Sequence, residues 1–242
     1  MINFISQNFL NMRVIEQHYL NIYHKVFAKK QIKSLSNNGY TVLDKKFIFK
    51  NVNLSKYLNY SNYNFVADRK KLEFDDLKNI YKDLDEIGVI SIIKNYFGSQ
   101  IYTYDNTILT LGNKKCSDSS WQPHHDSKGR RLKIYIWLND VNYNTHPLFY
   151  KKGSHRSIIN WKNYSDTRFK NEGDFEKIYG DLGSIIIFDT HGIHSNFKET
   201  IEARSVIELT LESKGFLRRV NKKNFKTESL RLGYIKLNEL IN

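Results

Sequence analysis

Two histidines and an aspartate carry the most specific chemistry in this chain. In Trp121-Gln122-Pro123-His124-His125-Asp126, His124 and Asp126 flank a single residue. On an extended backbone, side chains at i and i+2 leave the same face, so an imidazole and a carboxylate project together while His125 points elsewhere. A second stretch, Phe188-Asp189-Thr190-His191-Gly192-Ile193-His194, offers another imidazole at His194. Two histidines and one carboxylate on one side of a metal leave its opposite side open, the ligand arrangement of non-haem Fe(II) oxygenases. Taken alone, His-x-Asp also fits an ordinary surface turn. Arg204 opens a further strand-like run, and a fixed guanidinium near such a metal suits a carboxylate held through two parallel hydrogen bonds.

These residues need strands to aim them. Gly183-Ser184-Ile185-Ile186-Ile187-Phe188 reads as a buried strand, separated from His194 by a turn containing Gly192. Residues Leu132 to Val141 alternate, with Leu132, Ile134, Ile136 and Leu138 on one side and Lys133, Tyr135 and Trp137 on the other. Ile101 to Thr110 and Leu148 to Lys152 also read as strands, the latter ending at the turn Gly153-Ser154-His155. The first third of the chain reads differently. Ile5 to Ile32 has helical periodicity, Asn37-Asn38-Gly39 is a turn signal, and Tyr40 to Leu43 a short strand. Phe74 to Phe97 reads as two helices broken at Gly88 and closed at Gly98, with Asp75 and Asp76 favourably placed near the start. Tyr57 to Asn64 is a Tyr/Asn-rich loop, either bordering the site or plain surface. Trp161 to Lys177 is polar and irregular, and Leu230 to Ile241 reads as a terminal helix.

Gln122-Pro123-His124-His125-Asp126, Trp137-Leu138-Asn139-Asp140-Val141, Gly153-Ser154-His155, Gly180-Asp181-Leu182-Gly183 and Phe188 to His194, together with Arg204, resemble the phytanoyl-CoA dioxygenase family. The resemblance runs from about Gln31 to Ser213. It implies a mostly β fold with flanking helices, built on a double-stranded β-helix, the jelly-roll core of cupin-like proteins. It also implies a single domain over 1–242: a mainly helical part at 1–98, the β-helix core at 99–213 and a basic tail at 214–242. The family's Fe(II) ligands map onto His124, Asp126 and His194. Its 2-oxoglutarate arginine maps onto Arg204, with Tyr135 beside the co-substrate.

The implied reaction couples oxidative decarboxylation of 2-oxoglutarate by O2, giving succinate and CO2, to hydroxylation of a small molecule. Halogenases of the superfamily usually replace the carboxylate ligand with a small residue, so Asp126 favours hydroxylation. Some 2-oxoglutarate enzymes carry a serine two residues after the arginine; Val206 stands here, leaving Tyr135 or Thr210 to supply a hydroxyl. The family reading makes His155 structural rather than a ligand. Lys128, Arg130 and Arg131 follow the metal motif and, with Trp137, are expected to face the substrate. Their charge points to an anionic one, such as an acidic or nucleotide-linked sugar or a CoA thioester.

Composition bounds the alternatives. The chain has 242 residues, 40% of them hydrophobic, and a net charge of +13. That charge, with 16 tyrosines, also permits a nucleic-acid-binding protein, yet no nucleic-acid motif appears. A β-helix that binds a ligand without catalysis is the other alternative. The excess is spread along the chain and fits compositional bias as well as function. No apolar run reaches the roughly 20 residues of a membrane helix. The single cysteine, Cys116, excludes an internal disulfide, and no signal peptide is recognisable, so a cytoplasmic location is expected.

Overall fold

The computed structural model describes residues 19, 22–24, 28–98, 100–113, 123–126, 131–156, 175–196, 202–213 and 234–241. In chain order, helix α1 (Lys30–Asn38) leads into β1 (Tyr40–Lys46), and β2 (Ala67–Lys71) into α2 (Phe74–Glu86) and α3 (Val89–Phe97). Then come β3 (Ile101–Leu111), β4 (Arg131–Trp137), β5 (Leu148–Tyr150), β6 (Glu176–Ile178), β7 (Ser184–Asp189), β8 (His194–Ser195) and β9 (Arg204–Ser213). Strand β10 (Ile235–Lys236) and helix α4 (Leu237–Ile241) follow.

The strands form two antiparallel sheets. The larger runs β1-β7-β4-β9-β3-β10, with β2 also on β3, and the smaller runs β6-β5-β8. Both β10 and β2 use the same edge of β3. They divide it where the β3–β9 register shifts between Tyr104 and Thr107. Asp105 lies in that bulge with φ 50°, a left-handed conformation that Asp tolerates better than most residues.

Period-two patterning decides what each face of the larger sheet meets. Ile134, Ile136, Ile185, Ile187, Ile207, Leu209 and Leu211 share a core with Ile80, Leu84, Ile90 and Ile93 of the helices. The opposite residues, Tyr135, Trp137, Ile186, Phe188 and Val206, join Leu148, Tyr150 and Ile178 of the smaller sheet in a second core. The molecule is therefore layered as helices, large sheet and small sheet, with the expected double-stranded β-helix between the two sheets. Each fully buried Ile or Leu contributes about 1.5–3 kcal/mol of transfer free energy, so a one-residue slip of β4 would turn its aliphatic row into the barrel interior and push Lys133 into the helical core.

Several sequence expectations hold. The helix break falls at Gly88 (φ 89°), and Gly39 (φ 88°) closes α1. Others need correction. The helical pattern from Ile5 does not run through Ile32: the chain bends at Ala28, Lys29 is extended, and a new helix starts at Lys30. Besides helices α1 to α3, the part at 1–98 supplies two strands to the large sheet: β1 on β7, where Tyr40 to Leu43 reads as a strand, and β2 on β3, which the sequence does not foretell. Strand β6 begins inside the stretch read as irregular, because Glu176 to Ile178 pair with β5. The terminal helix is short, since Ile235 and Lys236 pair with β3 first. Among the described residues no helix is long and apolar enough to cross a membrane.

Candidate metal centre

His124 and His194 meet through their backbones. The His124 N–H donates to the His194 carbonyl at 3.0 Å and the His194 N–H to the His124 carbonyl at 2.9 Å. This antiparallel bridge adds the segment around His124 to the small sheet beside β8. Paired residues on one ladder present side chains to the same face, and the two rings lie 4.6 Å apart. Two residues on, the Asp126 N–H donates to the Thr190 carbonyl at 2.9 Å, holding the carboxylate alongside. Asp126 Oδ1 lies 3.2 Å from His124 Nε2 and 3.6 Å from His194 Nε2. The three ligand atoms fall within 4.8 Å of one another.

Protonation favours a divalent cation. Burial pushes the His194 imidazole below its usual range, so it is neutral. Its Nδ1 lies 2.9 Å from the Gly192 carbonyl; a proton there leaves the Nε2 lone pair facing the cluster. Burial opposes ionisation of Asp126, yet Lys133 and the two histidines outweigh it and hold the carboxyl well below its usual range. A neutral imidazole beside an ionised carboxylate is the pair of protonation states metal binding requires.

The turn before His194 is built on Asp189. Its Oδ1 accepts from the His191 N–H at 2.8 Å, its Oδ2 from Tyr96 at 2.8 Å, and its carbonyl from Tyr150 at 2.7 Å. Gly192 is required there, because a Cβ would collide with the Tyr150 hydroxyl. Among the described residues the other histidines are not part of the ligand cluster. His125 packs near His191, with ring centroids 6.1 Å apart, and burial lowers its pKa to about 4. His155 Nε2 is 3.0 Å from the Ser36 carbonyl, tying its turn to α1.

Behind the cluster, β4 and β9 line the interior with charge. Lys133 Nζ lies 2.8 Å from Asp126 Oδ2 and 3.6 Å from Glu208 Oε2. Glu208 also accepts from Tyr135 at 2.7 Å and from Arg69 at 2.5 Å. Alternation places Lys133 on the face of Tyr135, but its pairing with Asp126 and Glu208 is not foreseen from the sequence.

Arg204 is fully buried, its NH1 donating to the His146 carbonyl at 2.6 Å and its NH2 to Asn196 Oδ1 at 3.0 Å. Burial lowers its pKa to about 10, so it stays a cation at neutral pH. Its guanidinium carbon lies 5.1 Å from the Trp137 ring centroid and 5.7 Å from that of Tyr135.

The surroundings of three expected site residues are as follows. Trp137 is wholly buried, with the Arg204 guanidinium carbon 5.1 Å from its ring centroid. The Tyr135 hydroxyl is engaged by Glu208, whereas Thr210 Oγ1 is buried without a hydrogen-bond partner among the described residues. Arg131 donates to the Asp126 carbonyl at 3.2 Å and pairs with Glu212 at 3.6 Å, so its charge is engaged within the fold. Lys128 and Arg130 lie outside the described residues, as does Cys116. The Tyr57–Asn64 loop does not border the cluster. Leu58 and Tyr63 line a cavity of about 460 Å³ with Leu138, Asn139 and Ser205, on the other face of the large sheet.

The fold is shared with solved structures. EctD from S. alaskensis, crystallised with 2-oxoglutarate and 5-hydroxyectoine, matches with a TM-score of 0.55 at 16% identity, over 77% of this chain and 76% of that one. HygX from Streptomyces hygroscopicus, with nickel, 2-oxoglutarate and hygromycin B bound, matches with 0.52 at 12% identity, over 77% and 88%. SnoN, a non-haem α-ketoglutarate-dependent epimerase from nogalamycin biosynthesis, matches with 0.51 at 16% identity, over 76% and 82%. No family model matches the chain, and no curated protein sequence matches it. At these identities the likeness is one of fold.

Proposed function

We propose that this chain is an Fe(II)- and 2-oxoglutarate-dependent oxygenase that hydroxylates a small molecule. The convergence of His124, Asp126 and His194 inside a double-stranded β-helix carries the proposal. The residues fit both groups. Two imidazole nitrogens and an ionised carboxylate suit Fe(II). Deeper in the barrel, Arg204 Nε and Trp137 Nε1 are buried donors without a hydrogen-bond partner among the described residues, as an incoming carboxylate would require.

His124, Asp126 and His194 would hold the iron, and Arg204 the distal carboxylate of 2-oxoglutarate, with Thr210 the available hydroxyl. When bound, iron and 2-oxoglutarate would supply the oxidising chemistry, with release of succinate and CO2. The chain contributes position and dryness. Phe188 stacks edge-on to His194 at 5.4 Å and to Tyr135 at 4.9 Å, keeping water from the metal-facing side of the barrel.

Hydroxylation is preferred over halogenation because Asp126 occupies the carboxylate position. An anionic substrate remains part of the proposal, resting on Lys128 and Arg130, which follow the metal motif in the sequence. Succinate measured by mass spectrometry tests the reaction: formation should require Fe(II), 2-oxoglutarate and O2 together, and succinate formed without iron would refute it.

A further inference from the structure

The two oxygens of Asp126 face different partners. Oδ1 lies toward both imidazoles, at 3.2 Å from His124 Nε2 and 3.6 Å from His194 Nε2. Oδ2 faces away and is held by Lys133 Nζ at 2.8 Å. Lys133 is itself well fixed. It sits in β4, between β7 and β9, opposite Phe188 on one side and Thr210 on the other. Its ammonium lies between Asp126 and Glu208. Glu208 is anchored in turn by the Tyr135 hydroxyl at 2.7 Å and by Arg69 at 2.5 Å. The result is a row of alternating charge, Arg69, Glu208, Lys133, Asp126, running from a half-exposed arginine to a metal-site carboxylate. Its cross-strand anchorage makes it a property of the barrel wall.

We infer that Lys133 is a positioning residue that keeps Asp126 a one-oxygen ligand of the metal, and that Glu208 holds Lys133 to this task. The inference rests on the oxygenase reading above. A carboxylate can bind a metal through one oxygen or two. If both Asp126 oxygens turned inward, they would take a position that a chelating 2-oxo acid and O2 need. An ammonium on Oδ2 prevents that turn, because leaving it would strand a buried cation beside Glu208 alone. A lysine serves here because its single charged nitrogen can lie between two carboxylates.

The test is anaerobic titration of the protein with Co(II), followed by 2-oxoglutarate, read by visible absorption. Wild type, Lys133→Met and Lys133→Arg are compared, with thermal melting to confirm folding. Lys133→Met should change the Co(II) spectrum toward higher coordination number and weaken 2-oxoglutarate binding, and Lys133→Arg should restore both in part. Outer partners of metal ligands typically change metal affinity or activity by about 10–100-fold, and a loss of 2-oxoglutarate affinity in that range is expected. Tighter Co(II) binding by Lys133→Met with an unchanged spectrum would overturn the inference, reducing the lysine to a simple counter-charge.

A crystal structure of the metal-loaded wild type serves if Lys133→Met does not fold. Asp126 bound through Oδ1 alone, with Lys133 on Oδ2, supports the inference, and a two-oxygen Asp126 overturns it. Failure of the wild type to bind Co(II) at all would instead sink the oxygenase reading and the inference with it.

Discussion

His124 and His194 exchange both backbone hydrogen bonds, at 3.0 and 2.9 Å, and so carry their imidazoles on one rung of the small sheet. The cluster is therefore built by strand pairing more than by loop conformation. It should be largely preformed before any metal arrives.

That arrangement separates the histidines. His124→Ala and His194→Ala should each abolish stoichiometric Fe(II) binding, while His191→Ala and His125→Ala should retain it. Anaerobic iron titration of the four variants measures this. Undiminished binding by His194→Ala would show that another histidine serves as the ligand.

Arg204→Lys keeps a cation above Trp137 but loses the planar fork. Charge-assisted hydrogen bonds contribute about 1.5–3 kcal/mol each, so the KM for 2-oxoglutarate should rise about ten- to a hundredfold. Iron affinity should hold. Succinate formation against 2-oxoglutarate concentration, at saturating iron, gives the comparison; coincident curves would remove Arg204 as the anchor.

The Asp189 turn predicts a stability effect. Tyr96→Phe removes a buried donor to Asp189 Oδ2. Leaving that oxygen unpaired should cost about 1–3 kcal/mol. Urea unfolding should show a lower midpoint with an unchanged slope. An unchanged midpoint would mean that water or another group replaces the tyrosine.

Stability of the metal-free protein should fall as pH drops below 6.5. Burial lowers the pKa values of His125, His155 and His194, that of His125 to about 4. The unfolded chain takes up these protons near 6.5, before the folded one does, so stability is full above that pH and declines toward 4. The carboxylates act in the same direction at lower pH, since Asp126 and Glu208 are held below their usual ranges and lose their contribution as they protonate. Melting temperature against pH measures the slope, and His125→Gln should make it shallower between 6.5 and 4. An equal slope in that variant would assign the decline to other groups.

How much was legible in the sequence depends on the physics of each element. Strict alternation in Leu132–Leu138 shows its two faces directly, and the helix break at Gly88 follows from a residue that reaches positive φ without strain. His124 and Asp126 share a face because strand periodicity requires it. What stayed hidden depends on distant pairing. Ala67–Lys71 is a polar strand whose identity comes from β3, and Ile235–Lys236 is too short for any periodicity. Lys133 and Glu208 are charged residues on strands, ordinarily a sign of solvent exposure; only the barrel shows them buried against each other. Trp137 lies on the interior face as alternation requires, but its contact with the Arg204 guanidinium cannot be read from the sequence.

The central claim is that His124, Asp126 and His194 form a metal centre that recruits 2-oxoglutarate. Anaerobic calorimetry of 2-oxoglutarate binding, with and without Fe(II), in wild type and His194→Ala, tests it most directly. The account predicts saturable binding to the iron-loaded wild type and a large loss in the iron-free protein and in His194→Ala. Equal binding in all three, or none in the iron-loaded wild type, would contradict it.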